Sequence, residues 1–363
     1  LRKSMQPKPK PEAKAEAEAK AEARANAKAR ANAKARAKAK ARAKAKARAN
    51  IALVKYWGKA DEALKIPAVG SISITLDALW SETEVRFDPD LPADELVLDG
   101  AARAEQLARV SACLDVLREL AGVSLRARVS SRNNFPTGAG LASSASGFAA
   151  LAAAGAKALG LELSEAELSV VARRGSGSAA RSVFGGFVEM HAGRRADGRD
   201  SYAEPILARD AWPLEVVVAV TARGEKEVGS GRGMAESARS SPYYRDWVAT
   251  HPADLDEARA AIGRRDFEAL ADVSEHSCLK MHAAAMAARP PLVYWNGVTV
   301  ECLQLIRRLR RDGVPVFFTI DAGPQLKAIC EPNGRPRVES ALAAVPGVLD
   351  RLVSGLGPGV ETD

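Results

Sequence analysis

Asn133-Asn134-Phe135-Pro136-Thr137-Gly138-Ala139-Gly140-Leu141-Ala142-Ser143-Ser144-Ala145-Ser146-Gly147 ends a strand-like run in a loop of small residues and then opens an alanine-rich helix. Glycines let such a loop take left-handed angles and bring the main chain close to a ligand, while the unpaired amides of a helix start favour negative charge. Ser143 and Ser144 add hydroxyls to those amides. This is how a backbone holds a phosphate, yet no Gly-Lys-Ser/Thr closes the loop and it is not the dinucleotide G-x-G-x-x-G. A tight turn with close helix packing has the same composition, so the loop needs support from elsewhere in the chain.

Three segments supply it. In Asn50-Ile51-Ala52-Leu53-Val54-Lys55-Tyr56-Trp57-Gly58-Lys59 an apolar run carries Lys55 and Lys59 on either side of Tyr56, two ammonium groups near one turn that suit a polyanion. Solvated lysines on an exposed face are the ordinary alternative. In Arg173-Arg174-Gly175-Ser176-Gly177-Ser178-Ala179-Ala180-Arg181-Ser182 a Gly/Ser turn has an arginine behind it, placed for a bidentate grip on carboxylate or phosphate, or else the segment is a charged surface loop. Val316-Phe317-Phe318-Thr319-Ile320 reads as a buried strand that ends in Asp321 before Ala322-Gly323-Pro324, so the carboxylate faces a cleft or caps the following turn.

Taken together these segments resemble the diphosphomevalonate decarboxylases of the GHMP kinase superfamily. Asn50 to Lys59, Asn134 to Gly147, Gly175 to Gly186 and Phe318 to Pro324 resemble that family's signature segments in order and separation, and the resemblance runs from about Asn50 nearly to the C-terminus. It implies an α+β, two-domain architecture: an N-terminal domain like the second domain of ribosomal protein S5, a ferredoxin-like C-terminal domain, and a site in the cleft between them. It implies ATP-dependent decarboxylation of mevalonate 5-diphosphate to isopentenyl diphosphate through 3-O-phosphorylation. Asp321 would orient, and as a base deprotonate, the 3-hydroxyl. Lys55 would stand beside it, and Arg181 would hold the substrate carboxylate. Tyr56, Lys59, Ser176 and Ser178 would hold the diphosphate. The resemblance assigns ATP to Asn50, Gly138, Gly140, Leu141, Ala142, Ser143, Ser144 and Ser230, the last within a Gly/Ser loop that could equally be an ordinary mobile one. Mg2+ would come with the nucleotide, and a homodimer is implied by resemblance only. A phosphomevalonate decarboxylase and a mevalonate 3-kinase are the rivals inside the family. Pro67-Ala68-Val69-Gly70 departs from the pattern, because Val69 stands where a small polar residue is usual, and Gly138 stands where alanine is usual.

Length and composition fit such an enzyme, since 363 residues that are 47% hydrophobic can bury a large core and divide in two. No apolar run reaches the roughly 18 residues of a spanning helix and no signal-peptide core is seen, so a cytoplasmic location is expected. Cys113, Cys278, Cys302 and Cys330 form no C-x-x-C pair, and the four histidines lack H-E-x-x-H spacing, so neither zinc nor a disulfide framework is indicated.

The net charge of +8 is unevenly spread. Residues 1–49 hold 17 of the 53 Lys and Arg but 4 of the 45 acidic residues, which makes this stretch +13 and the rest −5. From Lys14 to Arg48 alanine alternates with Lys, Arg, Glu or Asn, a period of two with no apolar stripe at helical spacing. Residues 1–48 therefore read as a basic tail, a solvated fraying helix or disordered. The two domains follow at 49–203 and 204–363. Such a tail could bind nucleic acid or an acidic membrane nonspecifically, but it has no aromatic residue to stack a base. A nucleic-acid binder acting through this tail is the reading from another class.

Along the body, Ser71–Leu76, Glu82–Phe87 and Leu125–Val129 read as strands by their alternation, and Leu214–Val220 as a nearly continuous apolar one. Helices are expected over Arg103–Leu120 with a stop at Gly122, from the phosphate loop to Leu159, and after a capping box at Ser164-Glu165-Ala166-Glu167. Long helical patterns cover Leu255–Met286 and Val293–Arg311.

Overall fold

Strand β1 (Arg42–Val54) begins inside the stretch expected to be tail. In the computed structural model, which describes residues 42–135, 143–224 and 226–363, residues 42–48 are extended rather than helical or disordered. The period of two is the period of a strand. Ala43, Ala45 and Ala47 are buried against helix Ser143–Ala158, whose own alanines line the same core cluster. Small residues on both surfaces let helix and sheet approach closely. The intervening lysines face outward, Lys44 toward Glu84 at 3.6 Å and Lys46 over the Trp80 ring at 4.5 Å.

Downstream come β2 (Lys59–Asp61), β3 (Ile66–Pro67) and β4 (Ser71–Asp88). The two strands expected at Ser71–Leu76 and Glu82–Phe87 are thus one, because β4 never leaves the sheet: it pairs with β1 along its length. β5 (Glu95–Leu98), β6 (Ala101–Ala102), β7 (Arg126–Asn133), β8 (Phe187–Met190) and β9 (Ala203–Leu207) extend it. With the C-terminal β14 (Glu361–Thr362) they form a sheet ordered β14-β1-β4-β7-β5-β6, and β8 and β9 branch from β4. Across this sheet pack α1 (Ala104–Ala121), which ends at Gly122 in the left-handed conformation, α2 (Ser143–Ala158) and α3 (Glu165–Gly175), which starts at the expected Ser164/Glu167 capping box. A 3-10 segment, Gly177–Val183, follows α3.

The second sheet is ordered β11-β12-β10-β13, from β10 (Glu215–Val220), β11 (Val316–Ile320), β12 (Leu326–Cys330) and β13 (Asp350–Gly355). Its helices are α4 (Ser230–Ser240), α5 (Tyr244–Arg264), α6 (Phe267–Met286), α7 (Gly297–Arg311) and α8 (Arg335–Ala343). The pattern read as one helix over Leu255–Met286 is broken in two. Arg265 turns left-handed at φ 54°, and Asp266 caps α6 by accepting from the Ala269 amide. A single core cluster joins the two sheets: Ile51, Leu53, Ile72 and Ile74 pack with Val216, Val218, Leu255 and Phe317. The class is α+β, as expected. No helix among the described residues is long and apolar enough to cross a membrane.

Candidate active site

The apolar strands β1 and β11 run through that shared core and end side by side. Lys55 follows β1 and Asp321 follows β11, so the core sets their meeting: Lys55 Nζ lies 2.7 Å from Asp321 Oδ1 and also donates to Ala52 O at 2.9 Å. One face of α6 secures both strand ends. The Lys55 amide donates to Ser277 Oγ at 3.0 Å, the Ile320 amide donates to Cys278 Sγ at 3.2 Å, and His282 Nε2 lies 3.1 Å from Ile320 O.

A second ammonium, which the sequence reading did not single out, reaches the same carboxylate. Lys327 on β12 places Nζ 3.3 Å from Asp321 Oδ2. Burial pushes the Asp321 carboxyl up, but Lys55 and Lys327 outweigh it and hold the group well below the usual carboxylate range. It is an ionised acceptor and a weak base. Lys226, also unremarked in the sequence, donates to Ala322 O at 2.7 Å, and burial, reinforced by Lys327, pulls its ammonium down to about 8. One signal was available for Lys327: it is the only charged residue in Leu326-Lys327-Ala328-Ile329-Cys330.

Arg181, on the 3-10 segment, is 2% exposed and has only neutral hydrogen-bond partners among the described residues. Nε and Nη2 donate to Asn50 Oδ1 at 3.2 and 3.0 Å, and Nη1 donates to Ser71 Oγ at 2.6 Å. Burial lowers it to about 10, which leaves it charged at neutral pH. Asn50, expected at ATP, lines the cleft and is also engaged within the protein. Its amide nitrogen donates to Ser178 O at 3.0 Å and Ser182 Oγ at 2.8 Å, so all four of its hydrogen-bonding positions are taken within the protein.

Tyr56 lies under Arg181, with the guanidinium 5.9 Å from the ring centroid, and its buried hydroxyl has no hydrogen-bond partner among the described residues. Burial is the largest influence on this phenol and keeps it protonated. Gly177 is required beside it, because a Cβ there would run into the Tyr56 hydroxyl. Ser144, Ser176 and Ser178 form a hydroxyl chain with successive Oγ–Oγ distances of 3.3 Å, which ties the start of α2 to the turn before Arg181. Lys59 lines the cleft and pairs with Glu62 at 2.6 Å. Ser143 and Ser230 stand at the first turns of α2 and α4 and line it too. Gly138, Gly140, Leu141 and Ala142 lie outside the described residues. Val69 is buried with Trp57 and Trp247, an apolar anchor for the loop that departs from the family pattern.

These groups surround a cleft of about 510 Å³, and a neighbouring cavity of about 350 Å³ shares Ser143, Ser144, Arg109 and Lys226 with it. The neighbour is walled by Leu96, Leu98, Val129, Phe148 and Leu151. No cluster of three or more His, Cys, Asp or Glu that could hold a metal exists among the described residues.

Residues 47–203 match the family description "Diphosphomevalonate decarboxylase-like N-terminal domain", and residues 216–346 match "Mevalonate 5-diphosphate decarboxylase C-terminal domain". The human diphosphomevalonate decarboxylase is 38% identical over 295 residues, which are 76% of this chain and 73% of the human one. Mevalonate diphosphate decarboxylase from Staphylococcus aureus superposes with a TM-score of 0.84 at 38% identity, over 89% of this chain and 98% of that one. A structure described as "MDDEF in complex with MVAPP, AMPPCP and Magnesium" gives 0.83, again at 38% identity and with the same coverage.

Proposed function

This chain belongs to the diphosphomevalonate decarboxylase family, and from that premise we propose how its cleft carries out ATP-dependent decarboxylation of mevalonate 5-diphosphate. The carrying observation is the contrast on the cleft floor between a carboxylate held by two ammonium groups and a buried arginine whose hydrogen bonds among the described residues all go to neutral groups.

Asp321, ionised and fixed, accepts a hydrogen bond from the 3-hydroxyl of the substrate and aims that oxygen at the γ-phosphate of ATP. A carboxylate this acidic first orients the hydroxyl, and it takes the hydroxyl proton only as the new P–O bond forms in a loose transition state and makes that proton strongly acidic. Lys55 and Lys226 supply fixed positive charge where phosphoryl charge develops. The new phosphate ester is a good leaving group. The C–O bond to it breaks as the C1–C2 bond breaks, the electrons of the latter form the alkene, and carbon dioxide and phosphate depart. Arg181 holds the C1 carboxylate in the plane that lets those bonds align, which gives its guanidinium the direct ion pair it lacks among the described residues. Tyr56, Lys59, Ser176 and Ser178 surround the diphosphate.

The apolar cavity beside Ser143 and Ser144 suits the adenine of ATP, with the serine hydroxyls toward its phosphates. Mg2+ would neutralise the nucleotide phosphates and keep mostly water and phosphate ligands, consistent with a donor set poor in carboxylates. Four buried free thiols fit a reducing, cytoplasmic setting.

Incubation with ATP, Mg2+ and mevalonate 5-diphosphate should release ADP, phosphate and carbon dioxide in equal amounts. ADP without carbon dioxide would make the chain a 3-kinase, and faster turnover of the monophosphate would move the substrate assignment.

A further inference from the structure

Strand β12 is apolar on both faces except at Lys327, whose side chain is 1% exposed. The register explains where that side chain goes. Lys327 lies opposite Thr319 of β11 and opposite Val218 of β10, and directly opposed residues share a face of the sheet. Asp321, two residues beyond Thr319, continues that face. The four-carbon stem then brings Nζ to Oδ2, while Lys55 arrives at Oδ1 from the other sheet.

A carboxylate held at one oxygen can still turn about Cβ–Cγ, but one held at both oxygens from two directions cannot. We propose that Lys327 is a positioning residue of the reaction: by gripping Asp321 Oδ2 it fixes the plane of the carboxylate and aims its remaining lone pairs into the cleft. A purely structural role for this position would be better filled by an apolar side chain, since burying an ammonium costs free energy unless it is paired. The inference rests on the role proposed above for Asp321.

The groups facing the pair are Lys55 from β1, Arg181 from the 3-10 segment, Lys226 from the loop after β10, and Cys278 and His282 from α6. Burial is the leading influence on the last two, lowering His282 to about 3 and raising the Cys278 thiol. Between pH 5 and 7 neither changes charge and wild-type Asp321 stays ionised, so an acid limb that moves up toward this window in a variant reports Asp321.

The test compares Lys327→Met, Lys327→Arg and Asp321→Asn in the full chain, with kcat, both KM values, thermal midpoint and pH profile for each. Lys327→Met is expected to lower kcat on the order of 10- to 100-fold, the scale of a small misplacement of a reacting group. Both KM values should stay within about threefold of wild type, since Lys327 reaches substrate only through Asp321. Its acid limb should move to higher pH, because an ammonium that favours the ionised carboxylate is gone. Lys327→Arg should return the limb to its wild-type position while recovering only part of kcat. Wild-type kcat in Lys327→Met overturns the proposal, as does a raised KM with kcat kept, which would make Lys327 a substrate ligand. A fall in kcat that tracks lost thermal stability with an unmoved acid limb also overturns it. If Lys327→Met does not fold, the same limb is read in Lys327→Gln, which hydrogen-bonds without charge. Full activity in Asp321→Asn would show instead that the reading of Asp321 had failed.

Discussion

Two buried cationic centres face each other across the cleft, and they are built on opposite principles. Around Asp321 the charges are met inside the protein: Lys55 at 2.7 Å and Lys327 at 3.3 Å hold the carboxylate, which is organised before any ligand arrives. Arg181 is more deeply buried, but its hydrogen bonds go to the dipoles of Asn50 and Ser71, and Asp321 acts on it only as a charge without a direct ion pair. The first centre is an instrument and the second a receptor. A preorganised carboxylate serves the chemical step, while a guanidinium without a direct ion pair reserves its strongest interaction for the substrate.

Asp321→Asn should have the largest effect, because it removes the acceptor and strands two ammonium groups. We expect kcat to fall by about 10²–10⁴-fold, the range typical for a positioned acid–base group, measured as carbon dioxide release. Arg181→Met should cost about 10–100-fold in kcat/KM for mevalonate 5-diphosphate, the worth of a charge-assisted hydrogen bond of ~1.5–3 kcal/mol. The apo protein should lose less stability than in Asp321→Asn, since the change removes a buried charge that has no direct ion pair and leaves only neutral partners to re-pair. Substrate should then raise the melting midpoint of wild type but not of Arg181→Met. Equal losses of apo stability in the two variants would break the comparison.

Asn50→Leu sharpens it further. If Asn50 orients Arg181, the KM for mevalonate 5-diphosphate should rise about tenfold, and the KM for ATP should hold. The reverse result would return Asn50 to the nucleotide. The smallest effect concerns Lys226, lowered to about 8. Its folded value lies below its unfolded one, so stability from this group rises with pH between about 8 and the ordinary lysine range and falls as pH drops through 8. An anionic nucleotide favours the charged form. ATP binding at pH 8.5 should therefore take up protons, seen as a buffer-dependent heat in calorimetry, and Lys226→Met should abolish the uptake.

What was legible in the sequence was what residue type and local pattern determine. Asp321 at the end of an apolar strand, the Ser164 cap and the Gly122 stop are local signals, and they hold. What was not legible depended on pairing. The alternating alanines of residues 42–48 read as a low-complexity tail, because alanine is a poor strand former and only the partner strand β4 and helix α2 give its small size a purpose. Lys327 is visible as an oddity in β12, but its carboxylate lies in another strand and becomes its neighbour only through the register. Asn50 was assigned by family position. Its four internal hydrogen bonds could be known only from the fold.

Helix α6 touches the main chain at Lys55 through Ser277 and at Ile320 through Cys278, adjacent residues of one turn. The spacing between the lysine and the aspartate is therefore gauged by a single peptide unit of a helix, a ruler that hardly stretches. Side-chain changes at the rim can thus alter the cleft without touching the alignment that Ser277 and Cys278 gauge beneath it.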